Sequence, residues 1–497
     1  MAAAPSQTYL ALVVPKALVK QVKDALDGHG MLDKRTKIKP ITNEGKCKLL
    51  EGNTGTTREG SFYVPVVETK DGDASLSMLT RLIGMHSHEQ EFSIVAVSSD
   101  EDLESKRTVS QTNLLARTIE QWLQCQPQRQ CDSPDQSMTI FKKKSHLCNW
   151  TFTIYPPLLL LPPTFFSSLS SIVTKDKTPD QFPSLYSLMC ENLGVSHIAL
   201  SAPIPHTVMI SASLNRDPMT TKNSGRENES SPNILRSPTG LAPLYGDFGP
   251  DSPLEHQPTK EDFASAFWCT AQQNGIFQTW APRYVMFSRG NISEKARILY
   301  VTSLRQEALG TRPQETSAVD FYAGIGYFAF SYAKAGVSKV LCWELNPWSV
   351  EGLRRGACGN GWGVDVTRDG ERYQGAAGGD TRFLVFRESN ENAPARINAL
   401  RATIPPIKHV NCGYLPSSKA SWEKAVQVLD PTGGWIHAHE NVAKKDIESR
   451  KDEIVEIFTQ LAGRWTIECE HIERVKSYAP GVMHCVFDIA IMPIDPR

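Results

Sequence analysis

The sequence has no excess of charge of either sign: 53 Lys and Arg stand against 54 Asp and Glu, a formal net charge of -1. No whole-chain field draws it to nucleic acid or to an anionic surface, so any RNA contact has to come from a local patch. Long apolar runs are missing too. The longest, Leu158 to Leu161, is boxed by Pro156, Pro157, Pro162 and Pro163, far short of the roughly 20 residues a membrane span needs. Met1 to Pro15 has no basic segment leading into an apolar stretch, so no signal peptide is expected. The 11 cysteines are scattered and odd in number, and none has zinc-ligand spacing; Cys125 and Cys131 are the closest and lack companions. His86-x-His88 is too slight a pattern for a metal, and none is expected. Reduced thiols in a soluble, cytoplasmic, monomeric protein are the expectation. No internal repeat is found.

The 497 residues are enough for about three units. Thr8 to Pro15 reads as a buried strand, followed by a helix carrying Leu18, Val22, Ala25 and Leu26 at helical spacing; Phe62 to Val67 is a strand that could pair with the first. This predicts a small α/β unit over 1–68. Residues 69–150, rich in Ser, Gln, Asp and Lys, read as a poorly ordered insertion with helical hints near Leu114 to Leu123. A middle region, 151–315, contains a flexible Ser-rich loop (213–233), a turn-dense stretch from Pro232 to Gly249, and two expected paired strands, Gly275 to Pro282 and Tyr284 to Ser288. From 316 to 497 strands alternate with helices, which argues a mostly parallel sheet covered on both faces. Trp465–Val475 and Val482–Met492 form a closing hairpin, giving a seven-stranded, Rossmann-like sheet with an antiparallel end.

The chemistry concentrates at Val319-Asp320-Phe-Tyr-Ala-Gly324-Ile-Gly326-Tyr-Phe-Ala329. A strand delivers Asp320 to its C-terminal end, Gly324 and Gly326 permit a tight turn, and the next helix begins with unpaired N–H groups. Twenty residues after Gly324, Glu344 ends the next strand, where a carboxylate can accept both hydroxyls of a ribose. Gly-x-Gly-x-x-Ala also fits a dinucleotide. Asp320 sits where a pyrophosphate would not be welcome, and the closing hairpin suits a methyltransferase-type sheet. Gly379-Asp380 offers a second acid for an adenine edge. These features favour S-adenosylmethionine as co-substrate.

Asp320-Phe-Tyr-Ala-Gly-Ile-Gly-Tyr-Phe, Trp343-Glu-Leu-Asn-Pro-Trp348, Met286-Phe-Ser-Arg-Gly-Asn-Ile-Ser-Glu-Lys295 and Arg474-Val-Lys-Ser-Tyr-Ala-Pro-Gly481 resemble the tRNA wybutosine-synthesizing protein 2 family, itself similar to the tRNA guanine-37 N1-methyltransferases. The resemblance covers about 232–497 and, less distinctly, the first 65 residues. Asn411-Cys-Gly-Tyr-Leu-Pro-Ser-Ser418 and Gly434-Trp-Ile-His-Ala-His-Glu-Asn441 place it nearer the wybutosine branch. The resemblance implies transfer of a 3-amino-3-carboxypropyl group, not methyl, to 4-demethylwyosine at position 37 of phenylalanine tRNA, with methylthioadenosine released. By family position Ser288, Lys295, Glu344, Asp380 and Thr381 would bind the cofactor.

Asn411, Tyr414 and Pro416 end the fourth strand, facing the crevice, and are candidates for shaping the acceptor site. His439 or Glu440, after the fifth strand, could take the acceptor's proton. Arg283, Arg289, Lys295, Arg297, Arg305 and Arg312 form a local basic set for tRNA, and Trp280, Tyr284, Trp343 and Trp348 could stack on a bulky base. The segment 359–405 reads as an insertion around the third strand (Thr381–Phe386). The rivals are a tRNA guanine-37 methyltransferase, an NAD-dependent oxidoreductase and a non-catalytic RNA-binding scaffold.

Overall fold

The structure is a computed structural model that describes residues 8–16, 18–28, 32, 38–40, 47–52, 61–66, 93–98, 105–125, 152–170, 182–201, 207–209, 230–238, 240–251, 257–308, 310–373 and 381–493. It divides into two compact units, 1–109 and 110–497. In the first, β1 (Thr8–Pro15), β2 (Lys39–Pro40), β3 (Cys47–Gly52), β4 (Ser61–Val66) and β5 (Ser93–Ser98) form one sheet in the order β2-β4-β1-β5-β3. β1 runs antiparallel to β4, with Leu10 opposite Val66 and Pro15 opposite Ser61. The helix Val19–Gly28 buries Val22 and Leu26 completely. The stretch expected to be a poorly ordered insertion contributes β5, which pairs with β1 from Thr8 to Val13, so the sheet draws on residues on both sides of 68. His86 and His88 lie outside the described residues.

The second unit contains β6 (Thr153–Tyr155), β7 (Leu158–Leu161), β8 (His197–Leu200), a short pair formed by β9 (Thr207–Met209) and β10 (Ser230–Pro232), and β11 (Ala242–Tyr245). A sheet β11-β8-β7-β6 splits the four-leucine run between its faces: Leu159 and Leu161 join a core with Leu115, Ile119 and Trp122 of the helix Ser105–Gln124 and with Leu185 and Met189 of the helix Pro183–Leu193, while Leu158 and Leu160 pack with Tyr155, Trp280 and Phe287. β12 (Cys269–Gln273) and β13 (Ile276–Trp280) form a hairpin. The expected partner of β13, Tyr284 to Ser288, is not a strand: β13 takes its backbone partners from the residues before it.

The main sheet is built from β14 (Ser317–Asp320), β15 (Lys339–Trp343), β16 (Gly363–Arg368), β17 (Thr381–Arg387), β18 (Ile407–Cys412), β19 (Gly434–Ala443), β20 (Trp465–Ala479) and β21 (Val482–Pro493). The order is β16-β17-β15-β14-β18-β19-β21-β20. The first six are mutually parallel; β21 enters antiparallel between β19 and β20. β14, β15 and β18 are buried at every residue, as strands covered by helices on both faces must be. The sheet has eight strands where seven were expected, because the segment read as an insertion supplies β16 as an added edge. After β14 the chain moves outward to one side and returns through β18 on the other. The reversal opens a crevice at the strands' C-terminal ends.

Candidate cofactor and acceptor site

Asp320 ends β14 and is fully buried. Its Oδ1 accepts from the Asn411 side-chain amide at 3.0 Å and from the Tyr322 N–H at 3.2 Å. Burial raises its carboxyl to about 6, opposed by the Asn411 amide and by main-chain N–H donors. The turn that follows needs its glycines. Gly324 has φ +55° and Gly326 φ +85°; a Cβ on Gly326 would lie 2.5 Å from the Phe330 ring. Glu344, just past β15, clasps this turn: Oε2 accepts from Gly324 N–H at 2.8 Å and Oε1 from Asn346 N–H at 2.7 Å. Burial raises it to about 6, against those same donors. Each oxygen keeps a lone pair for a ribose hydroxyl. With Asp320 beside it, Glu344 makes the crevice a place for a cation and not for a pyrophosphate.

Lys295, on the helix Ile292–Ala308, is only 3% exposed. Its ammonium donates to Gln273 Oε1 at 2.9 Å and Gln278 Oε1 at 2.5 Å, and lies 4.9 Å and 5.1 Å from the Phe287 and Tyr327 ring centres. Gln278 also donates to the Gly326 carbonyl at 3.2 Å, which ties the lysine to the glycine turn. Ser288 accepts from Lys476 at 3.4 Å. Ser288, Lys295, Asp320, Gly324, Gly326 and Glu344 therefore belong to one connected region of contacts.

Thr381 does not join them. It opens β17, and the register sets Trp343 against Phe386, so Thr381 is five residues from the crevice end of its strand, about 16 Å away. Its carbonyl accepts from Lys339 and its hydroxyl bonds Asp365 at 3.1 Å. Asp380, its neighbour in the chain, lies outside the described residues. The crevice end of β17 instead leads to Glu388, Ser389 and Asn390. Glu388 is bound to Arg396 at 2.6 Å, and Asn390 donates to the Phe321 carbonyl at 3.1 Å.

His439 and Glu440 are enclosed, being 1% and 2% exposed. His439 bonds Asn411 Oδ1 at 3.1 Å with Nε2 and His484 at 3.0 Å with Nδ1; burial holds its pKa well below the ordinary value. Glu440 accepts from Ser417, from Ser418 N–H and from Arg450. Both ring nitrogens of His439 and both oxygens of Glu440 are bonded within the protein. Both were expected at a strand end, but β19 runs on to Ala443 because β21 pairs with its whole length, Gly434 to Ala443.

Asn411 is likewise buried between Asp320 and His439, whereas Tyr414 is half-buried and Pro416 exposed. Tyr414 lies 5.0 Å from the Tyr322 ring, and the Arg236 guanidinium is 5.0 Å over its face. Arg236 donates to the Leu415 carbonyl at 2.5 Å, and Asn346 reaches the Leu235 carbonyl at 3.2 Å. The turn-dense segment around 236 thus bridges two crevice loops. Sequence reading found the segment but not this role; its signal was a lone arginine among turn formers.

Three of the six residues in the expected basic set are paired with acids. Arg283 pairs with Asp251, Arg297 with Glu294 and Asp488, and Arg312 with Glu315. The side chains of Arg289 and Arg305 lie outside the described residues. Trp280, Tyr284, Trp343 and Trp348 are all core residues, at most 5% exposed, and offer no stacking face. Among the described residues no group of His, Cys, Asp and Glu could hold a metal, and no helix is long and apolar enough to cross a membrane.

The strand order, the clasped glycine turn and the acidic crevice define a Rossmann-like fold of the class I methyltransferase type. No family model matches the chain. It is 40% identical over 347 residues to tRNA wybutosine-synthesizing protein 2 of Schizosaccharomyces pombe, covering 68% of this chain and 72% of that one. To the Saccharomyces cerevisiae protein of the same name it is 35% identical over 289 residues, covering 52% and 57%. The crystal structure of Pyrococcus horikoshii TYW2 in complex with MeSAdo superposes with a TM-score of 0.47 at 18% identity, over 76% of this chain and all of that one. The chain belongs to the tRNA wybutosine-synthesizing protein 2 family.

Proposed function

We propose that the protein transfers the 3-amino-3-carboxypropyl group of S-adenosylmethionine to 4-demethylwyosine at position 37 of phenylalanine tRNA and releases methylthioadenosine. The observation that carries this reading is the Glu344–Gly324 clasp with Asp320 beside it, in a chain of this family. Two carboxylates held at one glycine turn favour a sulfonium nucleoside over a dinucleotide. Glu344 takes the ribose hydroxyls. Ser389 and Asn390, at the crevice end of β17, are better placed than Thr381 for the adenine. Lys295 and Ser288 hold the amino-acid end. Tyr414, backed by Arg236 and Tyr322, supplies a flat face for the tricyclic base.

Each of the three carbons on the sulfonium is electrophilic. The acceptor atom attacks the methionyl γ-carbon, the S–Cγ bond breaks, its electron pair neutralises the sulfur, and the acceptor loses a proton. Which carbon reacts is decided by which one faces the base, and orientation of this kind is worth about 7–11 kcal/mol. The protein is proposed to act as a cytoplasmic monomer without a metal. Incubation with carboxyl-labelled and methyl-labelled cofactor in parallel, on tRNA from cells blocked at this step, tests the reading. Only the carboxyl label is expected on the RNA; methyl label there would make the protein a methyltransferase, and no label would favour a scaffold.

A further inference from the structure

Two lysines of the second unit, one buried and one half-buried, lie close enough to repel each other and have no counter-charge among the described residues. Lys295 is bonded only to the neutral amides of Gln273 and Gln278. Lys476, on β20 of the closing hairpin, is half-buried; its ammonium reaches Ser288, and its stem passes so close to Gly290 that a Cβ there would sit 3.0 Å from Lys476 Cδ and 3.1 Å from Nζ. Among the described residues neither lysine forms an ion pair. Directly across the hairpin from Lys476 stands His484, 1% exposed, with its Nδ1 unpartnered. Burial lowers both lysines; repulsion from Lys476 adds to this and brings Lys295 to about 7, and the same lysine helps hold His484 down at about 4. Placing two ammonium groups in a dry pocket is costly unless something negative arrives there.

We infer that Lys295 and Lys476, with Ser288 bonded to Lys476, form a receptor for one small carboxylate, that of the amino-acid end of the sulfonium co-substrate, and that Lys476 is a specificity-determining residue for this ligand. The inference rests on the reading of the crevice given above; what it adds is Lys476 and the ligand atom it meets. Lys295 lies over the ring of Tyr327, the residue after Gly326, and Gln278 joins it to the Gly326 carbonyl. A nucleoside whose ribose is at Glu344 therefore has the same glycine turn as a wall between its sugar and this pocket. Lys295 is too enclosed for a nucleic-acid backbone, being 3% exposed, which favours a small anion over a phosphodiester chain. Anchoring that carboxylate fixes the propyl chain at its far end and so limits which carbon of the sulfonium can turn to the acceptor.

The test is a binding cycle between ligand and residue, by calorimetry on the full chain near neutral pH. The ligands are S-adenosylmethionine, its decarboxylated analogue and methylthioadenosine, titrated into wild type, Lys476→Met and Lys476→Arg. Lys476→Met is expected to weaken S-adenosylmethionine by about tenfold or more while methylthioadenosine stays within about twofold. The preference of the wild type for the carboxylated ligand should shrink in the Met variant and return in the Arg variant. An equal loss for all three ligands would make Lys476 merely structural and overturn the inference. Unchanged cofactor affinity with a raised KM for tRNA would assign the lysine to a phosphate and overturn it equally. Should Lys476→Met fail to fold, the wild type's preference over the decarboxylated analogue and the Arg variant still decide. Wild type that binds neither nucleoside would sink the crevice reading itself, a result distinct from any of these.

Discussion

Glu344 receives main-chain N–H donors on both oxygens and is still in reach of the crevice. Replacement by Gln would turn an amide NH2 toward one of those donors. Glu344→Gln should therefore weaken S-adenosylmethionine by about 10–100-fold, equivalent to about 1.4–2.7 kcal/mol, and the unpaired main-chain donor should lower the urea midpoint as well. Calorimetric titration checks this, and unchanged affinity would remove Glu344 from the site. The same residues set a pH dependence. Asp320 and Glu344, both raised to about 6 by burial, must be ionised to favour a sulfonium, so affinity should climb as pH rises through about 6. Lys295, lowered to about 7 by burial and Lys476, must be protonated to meet a carboxylate, so affinity should fall as pH rises beyond about 7. Methylthioadenosine, which has neither charge, should lack the upper limb and keep only a weaker lower one, through its ribose at Glu344. Residue by residue, Asp320, Gly324, Gly326 and Glu344 were legible because one strand–turn–helix–strand stretch carries all four. The tautomer-linked path from Asp320 through Asn411 and His439 to His484 was not, because it crosses four strands far apart in the chain.

At the scale of elements, the glycine turn and the helix Ile292–Ala308 are the parts on which the site depends. Gly326→Ala adds a Cβ 2.5 Å from the Phe330 ring, at φ +85°. It should lower the thermal midpoint and weaken cofactor binding by more than tenfold, roughly what a strained φ and a displaced core ring together cost. Arg297 fastens the helix to β21: it bonds Asp488 at 2.5 Å and Glu294 at 2.7 Å, and both carboxylates are fully buried. Arg297→Met takes the guanidinium away from two buried acids; Asp488 keeps its bond to His437 at 2.7 Å, while Glu294 loses the bonds Arg297 gave it. It should cost about 3–5 kcal/mol in urea denaturation; a loss below about 1 kcal/mol would mean the helix is held by packing alone. Element boundaries also explain where sequence reading strayed. Gly379-Asp380 looked like an acid at a strand end, but Thr381 begins β17, and the useful end lies at Glu388 to Asn390, hidden in a polar run without a glycine signal. β19 outran its expected end because strand length is set by the partner β21, which no local pattern in Gly434 to Ala443 reveals.

For the whole molecule, near-neutral charge agrees with the internal pairing of Arg283, Arg297 and Arg312. Half of the six basic residues counted along the sequence are spent on the protein's own acids, which spacing alone could not show. The fold class was legible because parallel strands alternate with helices and a hairpin closes the sheet. The added edge strand β16 and the long-range pairing of β5 with β1 were not, since both depend on partners distant in sequence. The most direct measurement is the identity of the nucleoside left after turnover with undermodified phenylalanine tRNA, resolved by mass spectrometry. Methylthioadenosine appearing one-for-one with modified tRNA is the expected result; S-adenosylhomocysteine in its place would contradict the account.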